Sequence, residues 1–193
     1  MPIIGTIASS KLTSNVLVAA AYESIQTFTG NGSQSSFSFS SIPQTYTHLQ
    51  VRIYVNNTNS GGDWRGVLFK ANNDSGSNYY WHYGYRSGAS SQGTSASQTT
   101  SYGNIMGCIT NSFNGAGTAI FDIYDYTNTN KFKTLTMLSG LSRNGQTGGF
   151  AYGEVYTGSQ VWRSTNAINS LDFTIATDNF GTGTVIALYG IKS

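Results

Sequence analysis

The clearest pattern in the chain is an alternation of apolar and polar positions over residues 46–55. Four apolar side chains fall on one side of an extended segment: Leu49, Val51, Ile53 and Val55. A strict period of two with β-branched side chains is typical of a strand that buries one face. Pro43 precedes the segment and seven turn-forming residues, 56–62, follow it. The pattern therefore predicts one half-buried strand bounded by turns.

The same alternation of short apolar segments and polar turns continues to the end of the chain. Residues 22–28 and 34–40 predict one hairpin, and residues 119–125 and 131–139 predict another. The last segment, residues 184–191, is almost continuously apolar, which predicts a strand covered on both faces. About ten such strands and no convincing helix predict an all-β fold, an antiparallel β-sandwich of the jelly-roll type, with an immunoglobulin-like sandwich as the alternative.

Two neighbouring segments depart from this simple alternation. Residues 79–85 carry aromatic rings on both faces, and one face holds four of them: Tyr79, Trp81, Tyr83 and Tyr85. Because both faces carry rings, we expect one of them to meet something other than the chain's own core. Residues 87–101 are built from Ser, Gly, Ala, Gln and Thr, and they predict an exposed loop at one end of the sandwich.

The first 21 residues differ from the rest of the chain. They begin with three isoleucines near the start: Ile3, Ile4 and Ile7. Two interpretations remain open, a first strand with a frayed terminus and an arm that docks on a neighbouring subunit. We therefore divide the chain into residues 1–21, an arm or first strand, and residues 22–193, a single sandwich domain of ordinary size.

Charged residues are scarce along the whole chain. They make up 9% of the sequence, whereas about 25% is usual for a soluble domain. A neutral surface of Ser, Thr, Asn, Gln and Gly suits packing into a large assembly or binding an uncharged ligand such as a glycan. The net charge is +2 without a basic stripe, so we expect no nucleic-acid partner. No apolar run approaches the ~20 residues of a membrane span, so we expect no membrane partner.

Motifs for catalysis or metal binding are not apparent. Cys108 is the only cysteine, which excludes an intrachain disulfide and a cysteine metal cluster. His48 and His82 lie on separate segments without other ligands at metal-binding spacing. The eight acidic residues lie mostly in turns or at strand edges, whereas glycoside hydrolysis usually needs two carboxylates across a cleft. We therefore expect no enzymatic activity, no cofactor and no metal.

Ten short segments, in six regions in order along the chain, carry a further pattern. They are MPIIGTIASS at residues 1–10, YESI at 22–25, SIP and YTHLQ within 41–50, GSNY and WH within 76–82, FDI, DY and NTNK within 121–131, and ALYGIK at 187–192. Together these segments resemble a family of virion structural proteins from tailed bacteriophages. The resemblance spans nearly the whole chain.

Members of this family are regarded as capsid decoration (cement) proteins or as fibre-like appendage proteins, and they carry no catalytic residues. The resemblance therefore implies a non-enzymatic virion protein that is made in the host cytoplasm. The opening motif favours a decoration protein on the outside of the head, and a receptor-binding, lectin-like domain of a tail fibre is the alternative. The implied partner is the major capsid protein, and the local threefold axes of an icosahedral capsid imply a homotrimer.

These interpretations define three sets of candidate site residues. For capsid docking, the candidates are the arm residues Ile3, Ile4 and Ile7. For a subunit interface, they are Ile186 and Leu188 on the last strand. For glycan contact under the lectin alternative, they are the four rings of one strand face: Tyr79, Trp81, Tyr83 and Tyr85.

Overall fold

Strands form all the regular secondary structure that the structure, a computed structural model, describes. The described residues are 12–13, 16–17, 21–58, 65–88, 91–108, 115–142, 153–175 and 178–192. Within these ranges there is no helix, and hence no helix that could span a membrane. The strands form an antiparallel sandwich of an eight-stranded and a four-stranded sheet, with a separate two-stranded ribbon. The predicted all-β sandwich is confirmed.

Fourteen strands, numbered along the chain, make up these three sheets. The ribbon pairs β1 (Leu12–Thr13) with β2 (Val16–Leu17). The large sheet has the spatial order β3 (Tyr22–Thr29), β14 (Val185–Ile191), β5 (His48–Val55), β10 (Gly117–Ile123), β11 (Lys133–Leu141), β12 (Glu154–Trp162), β7 (Tyr79–Ser87) and β8 (Ser91–Thr100). The small sheet has the order β4 (Ser36–Phe39), β13 (Leu171–Ile175), β6 (Arg65–Ala71) and β9 (Gly103–Cys108).

The strand β5 is an interior strand of the large sheet, third from the β3 edge, between β14 and β10. Its four alternating apolar side chains are at most 5% exposed, as the sequence pattern predicts: Leu49, Val51, Ile53 and Val55. The register places buried residues of both neighbours beside them, because Val51 lies opposite Phe121 on β10 and Leu188 on β14. Rows of buried side chains therefore run across the sheet and form the centre of the core.

The small sheet covers this centre from the other side. Phe28 of the large sheet stacks on Phe37 of the small sheet with ring centroids 3.8 Å apart, and Phe69 lies 4.8 Å from Phe121. The edge strand β9 approaches β10, β11, β12 and β7. Because the large sheet has twice as many strands, the described strands of the small sheet cover its inner face only partly towards β7 and β8.

The predicted hairpin of residues 22–28 and 34–40 is wrong. The strand β3 pairs with β14 in the large sheet, whereas β4 pairs with β13 in the small one. The chain crosses between the sheets at Gly30, where an added Cβ would lie 2.7 Å from the carbonyl oxygen of Gly181. Periodicity identifies each strand but does not identify its partner. The sequence alone therefore does not show that β3 and β4 belong to different sheets.

The predicted loop at residues 87–101 is also wrong. Its central part is β8, whose backbone pairs with β7 as an edge strand. An edge strand can be held by its backbone hydrogen bonds alone and needs no buried apolar face. Because the side chains of β8 are polar on both faces, the sequence shows no alternation of apolar and polar positions there. By contrast, the predicted hairpin of residues 119–125 and 131–139 is confirmed as β10 and β11, and Lys131 pairs with Asp125 across its turn.

The last strand is covered more fully on one face than on the other. Ile186 and Leu188 are fully buried in the chain's own core, whereas Val185 is exposed on the outer face. Neither buried residue has surface left to offer a second subunit, contrary to the predicted interface. The predicted docking residues Ile3, Ile4 and Ile7 lie outside the described residues.

The two faces of β10 give a matched test of the core. Phe121 is fully buried and Ile120, its neighbour, is exposed on the opposite face. We expect Phe121→Ala to lower the free energy of unfolding by about 3–5 kcal/mol because it leaves a cavity between the sheets. We expect Ile120→Ala to change it by less than about 1 kcal/mol. Urea denaturation of both variants measures the difference, and equal losses would contradict the placement of β10.

Candidate functional site

Two surfaces of the large sheet combine partly exposed apolar or aromatic side chains with few charges. The first, the aromatic cleft, lies on the inner face beside β7 and is lined by Tyr83, Tyr85, Ser87, Thr94, Ser95, Glu154 and Tyr156. The second, the apolar outer face, lies on the opposite side of the sheet and is formed by Tyr54, Ile120, Leu138, Val155 and Val185.

The position of the aromatic cleft is set by the turn that precedes β7. In this turn the Asp74 carboxylate accepts hydrogen bonds from the Trp162 indole at 2.7 Å and the Asn78 amide at 2.9 Å. The Tyr79 hydroxyl accepts a hydrogen bond from the backbone N–H of Ala71 at 3.0 Å. These contacts join the turn to both sheets and fix the position of the first residue of β7. The alternate rings of β7 therefore face inward.

The structure divides the predicted glycan-contact face into two parts. Tyr79 is 1% exposed and belongs to the core, so its ring has no surface for a ligand. Trp81, Tyr83 and Tyr85 are partly exposed. Trp81 stacks on Tyr83 with centroids 5.2 Å apart, and the Tyr83 and Tyr85 rings are 6.5 Å apart. The open part of the row therefore begins at the second ring.

Tyr156 of β12 completes the cluster from the neighbouring strand. Its buried ring lies 5.7 Å from the Tyr83 ring and 5.8 Å from the Tyr85 ring. On the other side of β7, a Cβ at Gly93 would lie 2.9 Å from the Tyr85 hydroxyl oxygen. The Tyr85 ring therefore lies over Gly93 of the edge strand β8. Because Gly93 has no side chain, the cleft stays open between Tyr83 and Tyr85.

Glu154 places a carboxylate at one end of this cleft. It is 5% exposed, and its carboxylate accepts hydrogen bonds from the Ser87 hydroxyl at 3.2 Å and from the Tyr156 hydroxyl. Burying a carboxylate costs free energy unless hydrogen bonds compensate, so these hydroxyl groups are part of what retains it. The cavity beside it measures about 360 Å³.

Sequence reasoning missed Glu154. In the sequence it is one of eight scattered acids, and no motif singles it out. The available signal was its spacing of two from Tyr156, which places both side chains on one face of a strand. Its proximity to Ser87 depends on the pairing of β12 with β7, which local patterns do not reveal.

One buried donor in the row of rings on β7 has no hydrogen-bond partner among the described residues. The indole nitrogen of Trp81 is buried, and no hydrogen-bond acceptor is found for it in the part of the chain that the structure describes. Buried indole N–H groups usually find an acceptor. The Trp81 indole N–H therefore differs from the Tyr79 hydroxyl, which accepts a hydrogen bond from the backbone N–H of Ala71 and donates one to the backbone carbonyl of Asp74.

The apolar outer face results from strand register. One row across the sheet contains Val185, Tyr54, Thr118, Gly140 and Val155, and the next contains Ala187, Arg52, Ile120, Leu138 and Thr157. The five large apolar residues of this face are 40–57% exposed. A shallow depression of about 550 Å³ lies over β5, β10, β11 and β12. A contiguous apolar surface therefore occupies the middle of the sheet.

Arg86 borders this surface opposite Val155, and Arg52 borders it opposite Ile120, where its contacts are local. Its guanidinium lies 5.4 Å from the Tyr22 ring centre and 5.6 Å from that of Tyr189, and these two rings stack on each other. It also donates a hydrogen bond of 3.0 Å to Gln50. The Arg52 charge is therefore held near the β3 edge of the sheet, away from Leu138.

Comparison with known proteins assigns no family to this chain. No protein-family model matches it, and no curated protein is significantly similar to it. Within the described ranges, no group of three His, Cys, Asp or Glu residues is arranged to hold a metal ion. The function must therefore be argued from the two surfaces themselves.

The Asp74 contacts predict an acid-sensitive fold. Although burial raises the pKa of Asp74, the hydrogen bonds from Trp162, Asn78 and Gly76 lower it below the ordinary value. A carboxyl with a lowered pKa in the folded state contributes stability above its unfolded pKa of about 4 and loses it as pH falls through the folded pKa. We expect Asp74→Asn to be less stable than the parent near neutral pH, with a difference that shrinks below about pH 4.

Urea midpoints measured for both proteins across this pH range provide the test. A difference that stayed constant down to the lowest pH would contradict the role of the charged carboxylate.

Proposed function

We propose that this chain is a non-enzymatic structural protein of a phage virion, bound as a decoration protein to the outside of the head. The observation that carries the proposal is the apolar outer face, where five large apolar side chains lie together in solvent. Soluble monomers rarely expose a large contiguous apolar surface unless it meets a partner. The resemblance of ten short segments to phage virion proteins supports the same conclusion.

The chemistry of this face suits a protein partner. Interface centres are poor in charge and rich in aromatic and apolar side chains, and this face combines Tyr54 with Ile120 and Leu138. The major capsid protein is the proposed partner because a decoration protein lies on the capsid shell. The basic residues are scattered along the sequence without a basic stripe, so the proposal includes no nucleic-acid partner.

We also infer that the sandwich is a jelly roll. The order β3-β14-β5-β10 in one sheet and β4-β13-β6-β9 in the other supports this inference, because it is the order of two interlocked Greek keys. The hairpins β7–β8 and β11–β12 then widen one sheet. Jelly rolls occur in viral capsid proteins and in lectins, so the fold is compatible with both functions weighed for this chain.

The oligomeric state follows from the proposed location. Subunits that bind at local threefold axes of an icosahedral capsid are expected to be homotrimers. Ile186 and Leu188 are internal, so the contact between subunits lies elsewhere on the surface. Light scattering of the purified protein should give the mass of three chains, and a monomer at every concentration would contradict the trimer.

A receptor-binding, lectin-like domain of a tail fibre is the second candidate function. The aromatic cleft favours it, because partly exposed rings beside a carboxylate are compatible with sugar binding. The two candidates differ in location and copy number. A decoration protein covers the head in many copies, whereas a fibre domain is confined to the tail.

A charge in the middle of the apolar outer face should prevent docking. We expect Leu138→Asp to bind undecorated capsids at least about tenfold more weakly, because a carboxylate would lose water at the interface. Its melting temperature should stay near that of the parent, since the residue is exposed. Co-sedimentation with purified capsids measures binding. Thr134→Asp, on the same strand and face but beyond the patch, is the control.

The arm is tested in the same assay. Burying one isoleucine contributes roughly 1.5–3 kcal/mol, and a trimer presents three arms at once. We therefore expect deletion of residues 1–10 to leave a folded sandwich that attaches much more weakly to capsids. If the deletion changes nothing while Leu138→Asp abolishes binding, the sheet face docks alone. If Leu138→Asp binds normally, the proposed docking face is wrong.

A further inference from the structure

We propose that the aromatic cleft is a binding site for a neutral sugar, a single pyranose unit of a glycan. This inference rests on the residues of the cleft and not on the proposed virion role. A head protein and a tail protein could both carry such a site. Failure of capsid docking would leave the sugar site standing. Failure of sugar binding would leave the capsid-docking proposal standing and would remove the support for the lectin-like alternative, which rests on the same cleft.

The apolar part of the cleft fits the faces of a sugar ring. Tyr83 and Tyr85 are partly exposed, with ring centroids 6.5 Å apart and planes inclined by 57°. Tyr156 lies below them, within 6 Å of both rings. The negative face of an aromatic ring attracts weakly positive C–H groups, which a pyranose presents on its two faces.

The polar part of the cleft fits the hydroxyl groups of a sugar. The buried carboxylate of Glu154 is held by the hydroxyls of Ser87 and Tyr156. Ser95 lies opposite Tyr83 on β8, so its side chain shares the inner face. The Ser87 and Tyr156 hydroxyls already donate to Glu154, so they and the carboxylate can accept hydrogen bonds from a sugar. The Ser95 hydroxyl can donate one hydrogen bond and accept others. A few polar groups around an apolar wall are characteristic of small-molecule sites.

The charge of the cleft selects the class of sugar. Glu154 is the one carboxylate among the described residues that line the cavity, and no basic residue is among them. A uronic or sialic acid would place a second negative charge beside the buried one, which is unfavourable. A neutral hexose or N-acetylhexosamine brings no such repulsion. A single carboxylate also favours binding over hydrolysis, which usually requires two.

The size of the cavity fits the same ligand class. At about 360 Å³ it is within the range of small-molecule sites. It is bounded on one side by the edge strand β8, which carries no large side chain towards it, because Gly93 and Ser95 face inward beside the two tyrosines. A longer glycan could therefore leave the cleft over this edge.

The test measures binding of methyl glycosides of glucose, galactose, mannose and N-acetylglucosamine to the full chain by saturation-transfer NMR. Ser95→Tyr places a ring in the cleft without removing a core contact, and Tyr85→Ala removes one wall. We expect both variants to weaken binding at least about tenfold. Glu154→Gln should weaken it as well, because a neutral amide replaces the charged acceptor. Methyl sialoside should bind more weakly than the neutral sugars.

Ala96→Tyr is the matched control, because it adds the same ring one residue further along β8, where the side chain is exposed on the outer face. We expect it to bind like the parent. Absence of binding by every neutral glycoside at about 10 mM would overturn the proposal, and so would binding that Ser95→Tyr leaves unchanged. Ser95→Tyr should still attach to capsids, which separates this result from the docking test.

Discussion

An eight-stranded sheet packs against a four-stranded one in this chain, and the narrower sheet covers only part of the wider sheet's inner face. The covered part is the core, where Val51, Phe121 and Leu188 lie side by side on three adjacent strands. Beyond β9, the described part of the chain provides no further strand of the small sheet opposite the large one. Aromatic side chains fill this region, since large rings can pack on one another and still keep one edge in water. The aromatic cleft is thus a consequence of the unequal widths of the sheets.

The outer face of the large sheet is open for a different reason. No described strand packs over it, and in an ordinary antiparallel sheet such a face would be polar. Here the middle of the face carries Tyr54, Ile120 and Leu138 instead, in a chain with few charges to break up the apolar surface. Exposed sheet surface of this kind is unfavourable in water and becomes favourable when a partner covers it. This surface is the basis of the proposed docking on a capsid.

Periodicity in the sequence predicts the strands that bury one face. It locates β5, and it finds the hairpin of β10 and β11, because alternate positions there meet the core. It does not predict partners, so it does not reveal that β3 and β4 lie in different sheets. It also misses β8, whose polar side chains carry no period. Glu154 could not be predicted as a site residue because its contact with Ser87 is made by pairing between β12 and β7, 67 positions apart in sequence.

The most direct test of the account is a cryo-electron microscopy reconstruction of undecorated capsids incubated with this protein. The account predicts ordered density on the outside of the shell, with the outer face of β5, β10, β11 and β12 against the capsid surface. The Tyr54 and Leu138 side chains should be buried there. Empty shells, or subunits bound with this face turned to solvent, would contradict it.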